Sequence, residues 1–202
     1  MAKRRNRFGR RRGSNISFRS REKKFHIGML YEILQWVFLC FAAVFVGVAL
    51  IYSFGIKTSV IGESMEPRLS NGQEVYINKV AYQFTAPGRG DVVVFRPNGN
   101  ENAHFSIKRV IGVPGDTIQI TNGKVMINGM VYADDVADDT RDGGIAKDVI
   151  TLGADEYFVL GDNRNSSEDS RSANIGNISR EMIEGKAWYQ LKGKHSDKGR
   201  VK

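Results

Sequence analysis

The order of hydrophobic and polar positions divides the chain into three parts. Residues 1–24 are polar and densely charged, residues 33–56 form a run of 24 residues without charge, and apolar and polar residues alternate in short runs from Lys57 onward. A helix made from these 24 residues is about 36 Å long, which exceeds the ~30 Å hydrocarbon core of a bilayer. The pattern therefore predicts a charged tail, a membrane-spanning helix and a β-rich domain, in that order.

Period-two alternation and turn residues predict the strands of the β-rich domain. Asn122-Gly123 is typical of a two-residue hairpin and joins two of these strands. Only residues 179–185 favour a short helix. The fold class is therefore predicted to be mainly β, an antiparallel β-rich domain behind one N-terminal transmembrane helix. The predicted strands are residues 74–82, 91–96, 105–113, 117–121, 124–128, 157–160 and 186–191.

The membrane-spanning segment sets the predicted boundaries and the orientation. Trp36 and Tyr52 lie near the ends of the uncharged run, where aromatic rings favour the membrane interface. The many Lys and Arg residues before the run, with balanced charge after it, predict a cytoplasmic N-terminus and an extracytoplasmic domain. Residues 51–56 are too bulky for the cleavage site of a removable targeting segment, which predicts a permanent anchor. The predicted regions are a basic cytoplasmic tail (1–28), a transmembrane anchor (29–56), the β-rich domain (57–192) and a polar C-terminal tail (193–202).

The net charge of +8 belongs to the tail and not to the domain. Residues 1–24 hold eleven Lys and Arg and one acid, whereas residues 57–202 hold nineteen basic and twenty acidic residues. A globular nucleic-acid-binding domain carries its basic residues on a folded face. We therefore expect no specific nucleic-acid partner, and we expect the tail to contact anionic membrane lipids. Binding of RNA by the tail is the alternative.

The sequence contains little that could bind a metal ion or a cofactor. Cys40 is the single cysteine and lies in the uncharged run, and the three histidines are scattered. Residues 134–148 are acidic, but their spacing does not match a calcium-binding loop, so a solvated surface loop is predicted. We expect no metal site and no cofactor.

Two side chains are candidates for nucleophilic chemistry. Ser64 lies between Gly62 and Pro67, which bend the backbone, so it either presents a nucleophilic hydroxyl or bonds its own backbone. Lys108 lies in the apolar run 105–112. Its amine either reaches water at the edge of a strand or is buried, with a lowered pKa that makes it a general base.

Residues 161–171 follow a short apolar strand and form a dense run of polar side chains. Ordinary surface loops are polar as well. In this run, however, Asp162, Arg164, Asp169 and Arg171 could pair with one another and form a rigid loop. Such a loop could hold hydrogen bonds onto a buried amine.

Four motifs follow one another along the chain: Ser64-Met65-Glu66-Pro67 and residues 89–95, 108–116 and 161–171. They resemble, in the same order, those of type I signal peptidases, the membrane-anchored Ser/Lys proteases also called leader peptidases. The resemblance covers the anchor and essentially all of residues 57–191. It implies a Ser64 nucleophile, a Lys108 general base, and an acyl-enzyme that is hydrolysed by a water activated by Lys108.

The resemblance also implies supporting roles for several residues. Ser167 matches the hydroxyl that orients the lysine amine, and the backbone N–H of Ser64 matches a donor to the oxyanion. Asp162, Asp169 and Arg171 match the residues that brace the loop.

Two positions depart from the family's pattern. Arg68 lies where the family usually has Thr, and we expect its side chain to point outward. Gly62 occupies the position at which some members carry a hydroxyl as second oxyanion donor. This donor is then either missing or supplied by backbone or water.

The function implied by the resemblance is removal of N-terminal signal peptides from secreted pre-proteins at small-x-small sites. It implies a single-pass protein of the plasma membrane whose pre-protein substrates are delivered by a translocase. Glu63 follows Ile56 by seven positions, so Ser64 lies within ~25–30 Å of the anchor, which suits a membrane-inserted substrate. Residues 58–61 could pair with an extended substrate by strand addition.

Other interpretations can be compared with this one. A Ser/His peptidase of the endoplasmic-reticulum type has His at the lysine position, but His104 lies four residues before Lys108. A soluble, self-cleaving protease of the repressor type has no anchor, whereas residues 33–56 predict one. A catalytically silent membrane-tethered β-domain and a specialised peptidase, for example for pilins, remain as alternatives.

Overall fold

The computed structural model describes residues 27–133, 139–194 and 197–201. Most of the predicted basic tail, part of the acidic stretch 134–148 and part of the C-terminal tail therefore lie outside the described residues. Within the described residues, the protein contains one long helix, two antiparallel β-sheets and a few single helical turns. The prediction of a mainly β fold with one N-terminal apolar helix is confirmed.

Helix α1 (Ile27–Phe54) is long and apolar enough to cross a membrane, and Glu32 is its only charged residue. It corresponds to the predicted anchor, residues 29–56, with both ends displaced by two residues toward the N-terminus. The chain divides into two compact units, residues 1–43 and 44–202, and α1 contributes to both.

The last turn of α1 packs within the second unit. The Lys79 N–H donates to the Ser53 carbonyl at 3.2 Å. The Phe54 ring meets the Trp188 ring edge to face, with centroids 6.0 Å apart. Lys79 Nζ lies 5.9 Å from the centroid of the Tyr52 ring. These contacts make the last helical turn part of the folded β-rich domain.

The strands form two antiparallel sheets. The strands are β1 (Ile56–Ser59), β2 (Glu74–Asn78), β3 (Val92–Phe95), β4 (Ser106–Gly112), β5 (Thr117–Thr121), β6 (Lys124–Ile127), β7 (Met130–Val131), β8 (Ile150–Thr151), β9 (Glu156–Leu160), β10 (Ile178–Ser179), β11 (Ile183–Gln190) and β12 (Gly199–Arg200). The larger sheet has the order β1-β2-β11-β3-β4-β9-β10, with β12 paired to β11. The smaller sheet has the order β7-β6-β5-β8.

The inner strands β3 and β4 are covered on both faces. In β3, Val92 and Val94 pack into one buried cluster, while Val93 and Phe95 pack into another. All residues of β4 except its first are also buried. A strand covered on both faces reads as a continuous apolar run without alternation. Any charged side chain on β4 therefore needs a partner inside the protein.

The predicted hairpin at Asn122-Gly123 is confirmed. Thr121 pairs with Lys124 across the turn, and Asn122 and Gly123 have φ values of 50° and 75°. Positive φ at both central residues is what a type I′ turn requires, and Asn-Gly adopts it readily.

The predicted strand 74–82 is too long. β2 ends at Asn78, whose Oδ1 accepts hydrogen bonds from the N–H groups of Val80 and Ala81 at 3.0 and 2.9 Å. This side-chain turn redirects the backbone into a single helical turn, α2 (Ala81–Phe84). Hydrophobic periodicity alone does not register such a side-chain bond.

The predicted helix at residues 179–185 is wrong. One turn of 3₁₀ helix covers Arg180–Met182, and β11 begins at Ile183. Ile183 and Gly185 pair with β3, and a Cβ at Gly185 would lie 2.6 Å from the Asn78 carbonyl oxygen. Pairing with β3 draws this segment into the sheet, so β11 also begins before the predicted strand 186–191.

Candidate active site

Ser64 lies in the loop that connects β1 to β2. At the base of this loop, the Val60 N–H donates to the Gln73 carbonyl at 2.8 Å. Met65 and Leu69 are fully buried in the core, whereas Ser64 itself is half-buried. The loop is therefore anchored beside Ser64 and leaves its hydroxyl at the surface of the core.

Gly62 shapes the backbone just before Ser64. Its φ of 84° lies in the left-handed region, which glycine adopts without strain. Its N–H donates to Asn71 Oδ1 at 3.1 Å. Because glycine has no side chain, position 62 offers only backbone atoms to the site.

Lys108 lies in the middle of β4, where it pairs with Val93 of β3. Only 6% of the residue is exposed. Its Nζ donates a hydrogen bond to Ser64 Oγ at 2.7 Å. Of the two interpretations of Lys108, the structure shows the buried amine and not the edge residue that reaches water.

Burial is the main influence on the Lys108 amine, and it lowers the pKa because a low-dielectric environment penalises the ammonium form. The carboxylates of Asp169 and Glu168 raise this pKa, and the guanidinium of Arg171 lowers it further. The net result is a pKa below the usual value of 10.5. A neutral amine next to a hydroxyl can accept the hydroxyl proton.

An internal ion pair braces the loop at residues 161–171. The buried carboxylate of Asp169 accepts from Arg171 Nε at 2.8 Å and from Arg171 Nη2 at 2.9 Å. The Gly161 N–H donates to Asp169 Oδ2 at 3.1 Å. Arg171 Nη1 also donates to the Asp142 carbonyl at 3.1 Å. This pairing is of the kind that the polar run 161–171 predicts.

Asp162 pairs outside the loop, with Arg109. Arg109 Nε and Nη2 donate to the two carboxylate oxygens of Asp162, each at 2.6 Å, and Arg109 Nη1 donates to the Gly90 carbonyl at 2.8 Å. The two side chains are only 5% and 1% exposed. Sequence reasoning assigned Arg109 no role. The available signal was its position directly after Lys108 in an apolar strand, where a cation needs a buried partner.

The expectation that Arg68 points outward is wrong. Its side chain is 27% exposed, and its Nε lies 3.9 Å from Asp162 Oδ2. Asp162 therefore attracts two cations, Arg68 and Arg109. The attraction crosses from one loop to another that is distant in sequence, so the local pattern around Arg68 does not reveal it.

Gly161 allows the loop at residues 161–171 to approach closely the loop between β1 and β2 that carries Ser64. The Asn163 N–H donates to the Ser64 carbonyl at 2.9 Å. A Cβ at Gly161 would lie 2.4 Å from the same carbonyl oxygen and 2.3 Å from Ser167 Oγ. A side chain at position 161 therefore does not fit without displacing one of the loops.

Ser167 Oγ is the least satisfied polar group beside the site. It is buried, and it has no hydrogen-bond partner among the described residues. The structure thus places the hydroxyl against Gly161 but does not bond it to Lys108. Its role in orienting the lysine amine stays a prediction.

An open cleft of about 430 Å³ gives access to Ser64 and Lys108. A second cavity, of about 510 Å³, is lined in part by three arginines and contains neither residue. We therefore take the first cleft as the candidate active site. Its wall mixes apolar, amide and acidic groups, which include Ile61, Glu63, Asn98, Glu168, Asn174 and Ile175.

No group of three or more His, Cys, Asp or Glu side chains is placed to hold a metal ion within the described ranges. Cys40 is exposed on α1.

Comparisons with known proteins match most of this chain. The sequence pattern of the family described as signal peptidase, peptidase S26, matches residues 33–191. A signal peptidase I of Leptolyngbya laminosa is 37% identical over 155 residues, which cover 70% of this chain and 74% of that protein. A signal peptidase IB of Staphylococcus aureus (strain COL) is 33% identical over 182 residues, which cover 81% and 91%. The crystal structure of a signal peptidase I from Enterococcus faecalis V583 is 28% identical, with a TM-score of 0.41 over 50% of this chain and 97% of that one.

Proposed function

Because this chain belongs to the signal peptidase family, peptidase S26, we propose that it is a membrane-anchored serine endopeptidase that removes N-terminal signal peptides from secreted pre-proteins at small-x-small sites. The observation that carries the proposal is the 2.7 Å hydrogen bond between the buried Lys108 amine and the Ser64 hydroxyl. Helix α1, which is long and apolar enough to span a bilayer, supplies the anchor.

Ser64 is the nucleophile and Lys108 the general base in this proposal. The neutral Lys108 amine accepts the proton of the Ser64 hydroxyl while Oγ attacks the scissile carbonyl carbon. The resulting ammonium returns the proton to the leaving amine as the peptide C–N bond breaks, and the signal peptide remains as an ester on Ser64. A water that gives a proton to Lys108 then attacks the ester carbonyl carbon. As the ester C–O bond breaks, Lys108 returns that proton to Ser64 Oγ, and the signal peptide is released with a free carboxyl group.

The backbone N–H of Ser64 is the proposed donor to the oxyanion. No backbone carbonyl among the described residues accepts from this N–H. The Ser64 carbonyl is held by the Asn163 N–H at 2.9 Å, which fixes the orientation of the following peptide group. Position 62 carries no hydroxyl, so any second donor is a backbone group or a water.

The supporting residues hold the base in place. Ser167 is proposed to orient the Lys108 amine. Asp169 and Arg171 keep the loop rigid through their two-point ion pair, and Asp162 ties that loop to the strand that carries Lys108.

Strand β1 offers a route for an extended substrate. It is the edge strand of the larger sheet and pairs with β2 on one side. Val60 and Ile61 continue from β1 toward Ser64, and Ile61 is 62% exposed on the wall of the cleft. A peptide added along residues 58–61 would place its scissile bond at Ser64, with main-chain hydrogen bonds supplying affinity.

The orientation and the partners complete the proposal. The excess of Lys and Arg before α1 supports a cytoplasmic N-terminus, a basic tail in contact with lipid and a catalytic domain on the outer side of the plasma membrane. A signal peptide is itself inserted in the membrane at that stage, so a translocase would deliver the pre-protein close to Ser64.

The direct test is digestion of a panel of pre-proteins by the purified full-length protein in detergent, with cleavage sites read by mass spectrometry. We expect cleavage after small-x-small sequences, and no cleavage by Ser64→Ala. Cleavage of pilin-type precursors alone would favour a specialised peptidase. If the folded wild-type protein cleaves no precursor, the catalytically silent tethered domain becomes the better explanation.

A further inference from the structure

One carboxylate on the wall of the cleft has no part in the proposed mechanism. Glu168 is exposed and lines the cleft together with Lys108. Asn174 Nδ2 donates to Glu168 Oε1 at 3.4 Å, and Asn98 Nδ2 donates to the Asn174 carbonyl at 3.2 Å. Asn98 and Asn174 line the cleft as well. This chain of amides keeps the carboxylate at the wall of the cleft.

Most other charges near Lys108 are offset by a partner. Asp169 forms a two-point ion pair with Arg171, and Asp162 forms another with Arg109. Strand β3 and the end of β9, which flank β4, present only apolar side chains beside Lys108. The charged side chains on the elements packed around the amine are therefore mainly paired, and their charges largely cancel.

Glu168 and Glu63 are the other charged groups that line the cleft. The carboxylate of Glu168 raises the pKa of the Lys108 amine. Among the described residues, its carboxylate meets only the neutral amide of Asn174 and forms no ion pair. Glu168 also lines the second cavity, together with Arg141, Arg164 and Arg171, so these cations offset part of its charge. The remainder acts on Lys108, with which Glu168 shares the cleft.

We propose that Glu168 is a positioning residue that acts through Lys108 and sets the lowest pH at which the Ser64/Lys108 pair cleaves peptides. The inference rests on the proposed function, because it takes Lys108 as the general base. A carboxylate on the cleft wall stabilises the ammonium form, whereas only the neutral amine accepts the Ser64 proton. Removal of this charge should therefore extend activity to lower pH.

The test uses three variants that separate charge from shape. Glu168→Gln removes the charge and keeps the size, whereas Glu168→Asp keeps the charge. Asp155→Asn is the control, since it removes one charge from an exposed residue just before β9. The end of β9 lies beside Lys108, since Leu160 pairs with Arg109. Asp155 is about 20 Å from Gly161 along the extended chain. This separation exceeds the ~10 Å over which charges act at moderate salt.

The readout is the pH profile of kcat/KM with a small-x-small peptide. We expect the acid limb of Glu168→Gln to move down by about half a pH unit, a gain of about 3-fold at pH values on that limb. Glu168→Asp should keep most of the wild-type profile, and Asp155→Asn should keep all of it. An unmoved limb in Glu168→Gln, or an equal movement in Asp155→Asn, overturns the proposal.

A second measurement distinguishes failure of this inference from failure of the proposed function. Competitive acetylation of the lysines over a series of pH values, read by mass spectrometry, gives the pKa of Lys108 without catalysis. A lower pKa in Glu168→Gln than in the wild type supports the action of Glu168 on Lys108, and an equal pKa rejects it. A wild-type protein that cleaves no peptide rejects the proposed function, whatever the acetylation shows. Thermal melting checks that each variant is folded.

Discussion

Asp162 and Arg109 form a buried two-point ion pair that ties the loop at residues 161–171 to the strand that carries Lys108. Neither residue lines the cleft. The pair joins the loop to β4 and prevents the two from moving independently. The geometry of the proposed dyad thus depends on a contact outside the cleft.

Replacing Arg109 by Met should destabilise the domain strongly. The substitution leaves the Asp162 carboxylate buried without its main partner. Arg68, whose Nε lies 3.9 Å from Asp162 Oδ2, offsets only part of the carboxylate charge. Removal of one partner of a buried pair typically lowers the free energy of unfolding by about 3–5 kcal/mol. The measurement is urea unfolding followed by tryptophan fluorescence.

The matched control for this prediction is Lys57→Met. Lys57 pairs with Glu74 at 2.6 Å, but the two side chains are 51% and 39% exposed. An exposed pair of this kind contributes less than about 1 kcal/mol. Equal small losses in Arg109→Met and Lys57→Met would show that the buried pair does not hold the loop to β4.

Gly161→Ala should damage activity through the position of Ser64. The added methyl group would meet the Ser64 carbonyl at 2.4 Å and Ser167 Oγ at 2.3 Å. Displacement of a nucleophile by about 1 Å can reduce the rate by ~10²-fold. We therefore expect kcat/KM for a peptide substrate to fall by about that factor.

Gly153→Ala provides the comparison for Gly161→Ala. At Gly153 a Cβ would come no closer than 3.4 Å, to the Glu156 side chain, which is ordinary contact. This variant should retain wild-type kcat/KM and a wild-type melting temperature. Full activity in Gly161→Ala would mean that the close approach of the two loops is not required.

Lys108→Met tests the general base with a side chain of similar length. Loss of a general base typically costs 10²–10⁴-fold in rate, so we expect kcat to fall by at least about 10²-fold. The domain should stay folded, because the substitution removes a buried amine and leaves no charge behind. A nearly normal rate would exclude Lys108 as the base.

The pH dependence of stability gives an independent measure of the same amine. The pKa of Lys108 in the folded protein lies below 10.5, so unfolding takes up a proton at pH values between the lowered pKa and about 10.5. The contribution of Lys108 to stability therefore rises with pH through this window, and below it the buried ammonium is destabilising.

Urea unfolding of wild type and Lys108→Met at pH 7, 8.5 and 10 measures this contribution. The free energy of unfolding of the wild type, minus that of the variant, should increase from pH 7 to pH 10. Contributions from other groups, such as the tyrosines, cancel in the difference. A difference that stays constant with pH would mean that the pKa of Lys108 is not lowered by folding.

Ser167→Ala distinguishes an orienting role from a packing role. The hydroxyl is buried and has no partner among the described residues, so its removal should cost little stability. We expect kcat to fall by about 10-fold with unchanged KM if Ser167 orients the Lys108 amine. Ser170→Ala is the contrasting variant, since Ser170 Oγ accepts the Val159 N–H at 3.0 Å and its loss should cost about 1–3 kcal/mol. Unchanged kcat in Ser167→Ala would remove the orienting role.

Chelators should leave peptidase activity unchanged. The proposed mechanism uses a hydroxyl, an amine and backbone N–H groups, and it requires no Lewis acid. The measurement compares kcat/KM before and after dialysis against EDTA. Activity that is lost on dialysis and restored by zinc would refute the proposed mechanism.

The structural elements that depend only on residues close together in sequence could be predicted from the sequence. The uncharged run appears as α1, and the Asn122-Gly123 pair forms the hairpin, because both depend on residues within one segment. The proximity of Ser64 and Lys108 became predictable only through the resemblance of four motifs. The local sequence around Lys108 did not distinguish a buried amine from an ordinary residue at the edge of a strand.

Features set by distant partners were not predictable. Arg68 turns toward Asp162 because that carboxylate comes from another loop. Ile183 and Gly185 join the sheet because they pair with β3, whereas pairing with β2 begins at Lys186. Local propensity favoured a helix there, but pairing with β3 outweighed it. Strands of two residues, such as β7 and β10, are too short for any periodicity to be visible.

The contacts between the last turn of α1 and the β-rich domain bear on how a lipid-free fragment should be prepared. Truncation at residue 56 would uncover the indole of Trp188 and leave the Lys79 N–H to water, since both lose their helical partners. A fragment that begins near Val44 keeps those partners but retains an apolar stub that invites aggregation. The detergent that shields this stub is therefore part of any preparation that preserves the native packing.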